Sequence, residues 1–254
     1  MSGRLAIVGL GPGADDLRSP RAAAALEAAT DLVGYGPYLD RVALAPHQRR
    51  HASDNREELA RADLALDLAQ QGRRVAMVSS GDPGVFAMAA AVFEALERGD
   101  AARQSTDIEV VPGVSAVLAA AARIGAPCGN DFCVISLSDN LKPWETVIDR
   151  VSMAARAGLA MALYNPVSKA RPWQLGAVLD RLRDILPGHV PVVFARAISR
   201  ADERIERTTL AKARSDQADM RTLVIVGTAE SRTIARPDGS AWVYTPRSVG
   251  RSGP

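Results

Sequence analysis

Seven short apolar runs punctuate the chain: LAIVGL near the start, RVAMVSS from Arg74, IEVVPG from Ile108, CVISLS from Cys133, LAMALYN from Leu159, VPVVFARA from Val190 and TLVIVGT from Thr222. Most run straight into Gly, Pro, Ser or Asn, and an apolar run of this length closed by turn residues reads as a buried strand. Between them, RAAAALEAAT, NREELARADLALDLAQQG and PWQLGAVLDRLRDIL place apolar residues at helical spacing. This alternation predicts an α/β protein with parallel or mixed sheets flanked by helices. It is interrupted at VPGVSAVLAAAARIGAPCGN, so two α/β domains are expected, residues 1–116 and 117–254. The tail holds a turn at Pro237-Asp238-Gly239, the mark of a hairpin.

Composition sets limits. The 254 residues are 47% hydrophobic, enough for two ordinary cores, and the 4% aromatic content beside many alanines suits helices lying close on sheets. The 31 Lys+Arg nearly balance 29 Asp+Glu, so nothing points to nucleic acid as a partner. Cys128 and Cys133, spaced C-x4-C in a chain with three histidines, make neither a disulfide framework nor a metal site, and are read as reduced thiols. With no secretory segment and no apolar run of about 18 residues, a cytoplasmic protein without a membrane partner is expected.

The chemistry lies where strands end. RLAIVGLGPGADD brings three glycines after the first strand, but the spacing is G-x-G-x-G rather than G-x-G-x-x-G, and Pro12 removes a donor that an anion cradle would use. About 20 residues on, where a dinucleotide fold places a ribose-binding acid, the chain has Gly34, Tyr35, Gly36 and Pro37. Four more loops carry functional groups: SSGDPGVF from Ser79, VPGVSA from Val111, ALYNPVS from Ala162 and FARAISRADE from Phe194. Ligands of α/β sheets gather at such strand ends, so these loops could converge on one interdomain cleft. Taken singly, each has a plainer duty: Asp82 and Ser115 as helix caps, Asn165-Pro166 as a turn opener, Arg171, Arg196 and Arg200 as surface charges.

The ordered set VGLGPG, SSGDPGVF, VPGVSA, LYNPVS and TLVIVGT resembles the class III, tetrapyrrole-type methyltransferases, which use S-adenosylmethionine. GYGPYLD, SDNREELARA, SSGDPGVFAMA, SLSDNLKPWE and LYNPVSKARPWQL narrow the resemblance to the ring-contracting branch of cobalamin biosynthesis. It implies a tetrapyrrole methylase-like fold with the cofactor in a cleft between two α/β domains, a homodimer, and precorrin-3B as the substrate. That substrate is methylated at C-17 and contracted to precorrin-4, with C-20 expelled from the macrocycle as an acetyl group. The family's cofactor contacts fall on Pro12, Gly81, Asp82, Val85, Phe86, Ser115, Ala116, Tyr164, Asn165 and Ala197. Arg171 and Arg196, as bidentate partners for carboxylates, are expected to meet the substrate's side chains.

Ring contraction also needs proton transfer. Uroporphyrinogen methyltransferases place an Asp after the Tyr of the loop following the first helix; this chain has Tyr35-Gly36 there, which leaves Tyr38, Asp40 and Asp139 as the nearest candidates. No metal is expected in the mechanism. Three rival readings stay open at this point: a sister methyltransferase acting on another precorrin, a protein or RNA; a nicotinamide oxidoreductase; and a non-catalytic tetrapyrrole carrier.

Overall fold

In the computed structural model, which describes residues 3–54 and 57–248, the chain divides after Ser115 into two compact units. The first runs β1 (Arg4–Gly9), α1 (Pro20–Ala28), β2 (Asp31–Tyr35), α2 (Gly36–Leu39), β3 (Arg49–Ser53), α3 (Glu58–Gln70), β4 (Arg74–Ser79), α4 (Met88–Glu97), α5 (Ala101–Gln104) and β5 (Asp107–Val111). Its five strands are parallel, in the order β3-β2-β4-β1-β5. The period of two along a strand sorts the core into two layers. Leu5 and Ile7 of β1, with Val75 and Met77 of β4, pack under α3 and α4, while Ala6, Val8, Ala76 and Val78 face α1 and α2. Ala62, Ala65 and Ala69 keep α3 close to the sheet. Helix α1 starts where Pro20 cannot donate and the Ser19 hydroxyl accepts from the Ala22 N–H.

Two strands of this sheet were not expected from the hydrophobic pattern. β2 is short and ends in the Gly-Tyr-Gly-Pro turn, and β3 is the polar edge strand RRHAS, paired on one side only. An edge strand buries little, so its sequence need not alternate. The first two residues of NREELARADLALDLAQQG, Asn55 and Arg56, lie outside the described residues.

At the amino end of β2, away from the glycine loops, the buried Asp31 carboxylate accepts from Arg73 Nε at 2.6 Å and Thr30 Oγ1 at 2.7 Å and meets His51 Nε2 at 2.9 Å. Burial pushes this carboxyl up, but the hydrogen bonds from Arg73, His51 and Thr30 outweigh it and hold the group below the usual carboxylate range.

The second unit contains α6 (Ala116–Ile124), β6 (Gly125–Ala126), β7 (Phe132–Ser136), α7 (Trp144–Arg156), β8 (Ala160–Tyr164), α8 (Gln174–Arg183), β9 (Pro191–Arg196), β10 (Arg204–Thr209), β11 (Thr222–Val226), β12 (Arg232–Ala235) and β13 (Ala241–Tyr244). Its main sheet is mixed, in the order β10-β9-β11-β8-β7, and covers a core with α7 and α8 built on Met161, Leu163, Val192, Phe194, Val224 and Val226. β7, β8 and β9 run in one direction and β10 and β11 in the other, so the loops after β7, β8 and β9 share one edge. The expected hairpin is β12-β13, turned at Gly239 in the left-handed region, with β6 beside it. The edge strand β10, RIERTT, is a third element that apolar periodicity did not mark.

Candidate active site

Three loops of the first unit meet backbone to backbone at the carboxyl ends of β1, β4 and β5. Gly11 and Gly81 exchange hydrogen bonds, N–H to carbonyl at 3.2 and 2.9 Å, and both have positive φ. A Cβ on Gly9 would lie 2.7 Å from the Gly113 nitrogen, and one on Gly113 would lie 2.2 Å from the Gly81 oxygen. The glycines therefore permit the loops to touch.

That contact also decides what the first loop can hold. The Leu10 N–H donates to Ser79 O at 2.8 Å and the Gly11 N–H to Gly81 O, while Pro12 has none. Three consecutive positions thus offer no free donor to a phosphate, and the loop does not serve a dinucleotide's pyrophosphate.

Asp82 holds the arrangement together. Its Oδ1 accepts from the Gly84 N–H at 2.8 Å and its Oδ2 from the Gly113 N–H at 3.0 Å, tying the loop after β4 to the loop after β5. It does not cap the next helix, because α4 begins only at Met88 with Ala87 at its cap position. Between them the chain passes Val85, whose N–H donates to Asp82 O, and Phe86, which is half exposed at φ 51°. A β-unbranched aromatic in the left-handed region costs on the order of 1 kcal/mol and persists only where its surroundings require it.

In the second unit the same strain recurs at two of the expected residues, Asn165 at φ 51° and Ala197 at φ 49°, and also at Ser199 at φ 60°. Asn165 Nδ2 donates to Ser136 Oγ at 2.9 Å, joining the loops after β8 and β7. The Tyr164 hydroxyl accepts from the Val117 N–H at 3.0 Å, at the first turn of α6. The Ser199 N–H donates to Glu203 Oε2 at 2.6 Å, and Glu203 also pairs with Arg123 of α6 at 3.3 Å, which fixes the strained turn carrying Ala197.

With this geometry in place, residues 4–214 match the family of tetrapyrrole (corrin/porphyrin) methylases. The chain belongs to that family. It is 56% identical over 247 residues to a precorrin-3B C(17)-methyltransferase from a Sinorhizobium species, covering 97% of both chains. Its fold superposes on a solved structure of the methyltransferase CobJ with a TM-score of 0.92 at 51% identity, covering 96% of this chain and 100% of that one. A more distant structure, the uroporphyrin-III C-methyl transferase of Thermus thermophilus complexed with S-adenosylhomocysteine, shares the fold at a TM-score of 0.68 and 23% identity, covering 89% of this chain and 92% of that one. Tetrapyrrole methylases take their methyl group from S-adenosylmethionine, and this chain is a methyltransferase.

Against this family background, the expected cofactor residues Pro12, Gly81, Asp82, Val85, Phe86 and Ser115 all lie on the three touching loops or directly after them, and Ser115 is buried. Ala116, Tyr164, Asn165 and Ala197 lie on the second unit. The substrate candidates have local partners. Arg196 Nε donates to Asp219 at 2.7 Å and Nη1 to Asp202 at 2.9 Å, in a network that Arg221 completes. Arg171 donates to Ser168 and Ser138 and lies 3.9 Å from Asp139, which also accepts from Gln174 at 3.2 Å. Tyr38 stacks edge-on against Tyr35 with ring centres 5.2 Å apart, and exposed Asp40 pairs with Arg50 at 2.5 Å.

Sequence reasoning missed Arg41. Its guanidinium reaches the carbonyls of Leu10, Gly11 and Gly13 and the Ser80 hydroxyl, at 3.2 to 3.4 Å. The available signal was a basic residue directly after GYGPYLD, which spans the end of β2 and the short helix that follows it.

Among the described residues no group of three His, Cys, Asp or Glu could hold a metal, and no helix is long and apolar enough to cross a membrane. Cys128 and Cys133 are free thiols that burial pushes up in pKa.

Proposed function

We propose that this chain methylates C-17 of precorrin-3B and contracts the macrocycle to precorrin-4 in cobalamin biosynthesis. The observation that carries the substrate reading is the 56% identity across 97% of a precorrin-3B C(17)-methyltransferase. S-adenosylmethionine, when bound, supplies a methyl group as a cation. The chain's own residues bind and orient it: the loops at Pro12, Gly81, Asp82, Val85, Phe86 and Ser115, and Ala116, Tyr164, Asn165 and Ala197 of the second unit. What supports this assignment is the absence of free phosphate donors at Leu10 to Pro12 and the left-handed strain at three of those residues. Positioning of reacting groups is worth ~7–11 kcal/mol in favourable cases, and rigid loops supply it.

The substrate carboxylates fall to Arg171, which already joins the loops after β7 and β8. Arg196, which pairs with Asp202 and Asp219 at the end of β9, is the second candidate for them. Tyr38, Asp40 and Asp139 remain the candidates for proton transfer. The protein works as a cytoplasmic homodimer on a metal-free substrate.

The test is to strip the purified protein with a chelator and supply precorrin-3B and S-adenosylmethionine without oxygen. Precorrin-4 and S-adenosylhomocysteine are expected. A strict need for added metal would overturn the metal-free reading, and methylation confined to another precorrin, a protein or RNA would overturn the substrate. Calorimetry in parallel should detect S-adenosylhomocysteine but not NAD. Unchanged substrate affinity in Arg171→Ala would move the carboxylate contact elsewhere.

A further inference from the structure

We infer that Arg41 is the positioning residue that sets the shape of the cofactor loop, an inference that rests on the proposed use of S-adenosylmethionine. The residue follows the short helix α2 and is half-buried. Its Nη2 lies 3.3 Å from Leu10 O, 3.2 Å from Gly11 O and 3.4 Å from Gly13 O, and its Nη1 lies 3.2 Å from Ser80 Oγ. One cation therefore gathers three carbonyls of the GLGPG loop and ties them to the residue before Gly81.

Carbonyl dipoles turned toward a common point repel one another, and a loop bent this way needs a positive charge on its inner side. Arg41 supplies that charge. Nη2 shares its two N–H groups among the three carbonyls while Nη1 reaches Ser80, and a single ammonium nitrogen cannot span both places at once. With its carbonyls held by Arg41, the loop keeps Gly9 packed against Gly113 and Gly11 bonded to Gly81. That fixed path is what the proposed cofactor contact at Pro12 depends on.

Arg18 supports the arrangement from behind, donating from Nη2 to Arg41 O at 3.2 Å and to Asp15 at 2.6 Å. Arg41 is only half-buried, and its printed partners are loop carbonyls and the Ser80 hydroxyl. Its removal should therefore act on the loop more than on the core.

The experiment compares Arg41→Ala, Arg41→Lys and the unaltered protein by calorimetry with S-adenosylhomocysteine, beside thermal unfolding and steady-state methyl transfer. Hydrogen bonds from a charged group are worth ~1.5–3 kcal/mol, which converts to about ten- to a hundred-fold in affinity. Arg41→Ala is expected to fold and to bind the cofactor product at least about tenfold more weakly. Arg41→Lys should recover only part of this, and guanidinium ion at tens of millimolar should restore binding to the alanine variant alone. A folded Arg41→Ala with unaltered affinity would overturn the inference. If Arg41→Ala does not fold, Arg41→Lys decides: full affinity there would equally overturn it. Failure of the unaltered protein to bind S-adenosylhomocysteine would instead refute the cofactor reading, and this inference with it.

Discussion

A Cβ on Gly113 would stand 2.2 Å from the carbonyl oxygen of Gly81. Neither partner can yield, because both atoms belong to loops fixed at strand ends. Gly113→Ala is expected to destabilise the first unit by ~1–3 kcal/mol or more, the usual cost of overpacking. Gly36→Ala serves as the control: nothing lies within 4 Å of its added carbon. Thermal unfolding of the two variants should separate them clearly. Equal melting temperatures would show that the loops have room to part.

Asp82 accepts one backbone N–H with each carboxylate oxygen, so Asp82→Asn must present an NH2 to one of them. The clamp should then lose either its hold on Gly113 or its own turn at Gly84. Cofactor affinity is expected to fall by about tenfold or more while the fold survives, given ~1.5–3 kcal/mol for a hydrogen bond to a charged group. Calorimetry with S-adenosylhomocysteine and circular dichroism on the same sample would check both halves. Unchanged affinity in a folded variant would remove Asp82 from the site.

Ala197 at φ 49° adopts a backbone conformation that glycine reaches without penalty. Ala197→Gly should leave stability unchanged or raise it by up to ~1 kcal/mol, since relief of strain opposes the added freedom of the unfolded chain. Cofactor binding is expected to weaken, because the turn loses its rigidity. A melting temperature and a dissociation constant that both stayed at the unaltered values would deny the strain any functional part.

The exposed pair of Asp202 and Arg221 gives a pH prediction. The Arg221 guanidinium, and Arg196 after it, lower the Asp202 carboxyl to about 2 from its ordinary 3.8. A depressed folded pKa contributes stability above the unfolded value and loses it as pH falls, so this contribution is present above about pH 4 and fades toward pH 2. Arg221→Ala should bring the Asp202 titration, followed by carboxyl NMR, back toward the ordinary value, with a smaller return for Arg196→Ala. An Asp202 that still titrated near pH 2 in the double variant would place the cause elsewhere.

What could be read from the sequence was chiefly the long apolar runs; β2 is as buried as they are, but its five residues open on Asp31 and include Gly34. β1, β4, β8, β9 and β11 are fully or nearly fully buried strands, and their apolar runs stood out at once. β3 and β10 are polar edge strands that take their conformation from a neighbour, so no local pattern could announce them. Asp82 was legible as a residue of interest but not as a clamp, because its partner Gly113 is 31 positions away. Arg41 shows the same limit more sharply. Its importance lies in three main-chain carbonyls, and a sequence carries no record of where carbonyls point.

The strand order of the first unit has a consequence for how the chain is made. β1 is synthesised first, yet both of its neighbours in the sheet, β4 and β5, come later, ending at Ser79 and Val111. A ribosome therefore extrudes Leu5 and Ile7 long before α3 and α4 can cover them, while α1 reaches Val8 early, and the sheet cannot close until Val111 has emerged. A nascent chain halted before Asp107 would keep one side of β1 bare, open to a chaperone or to another strand like itself.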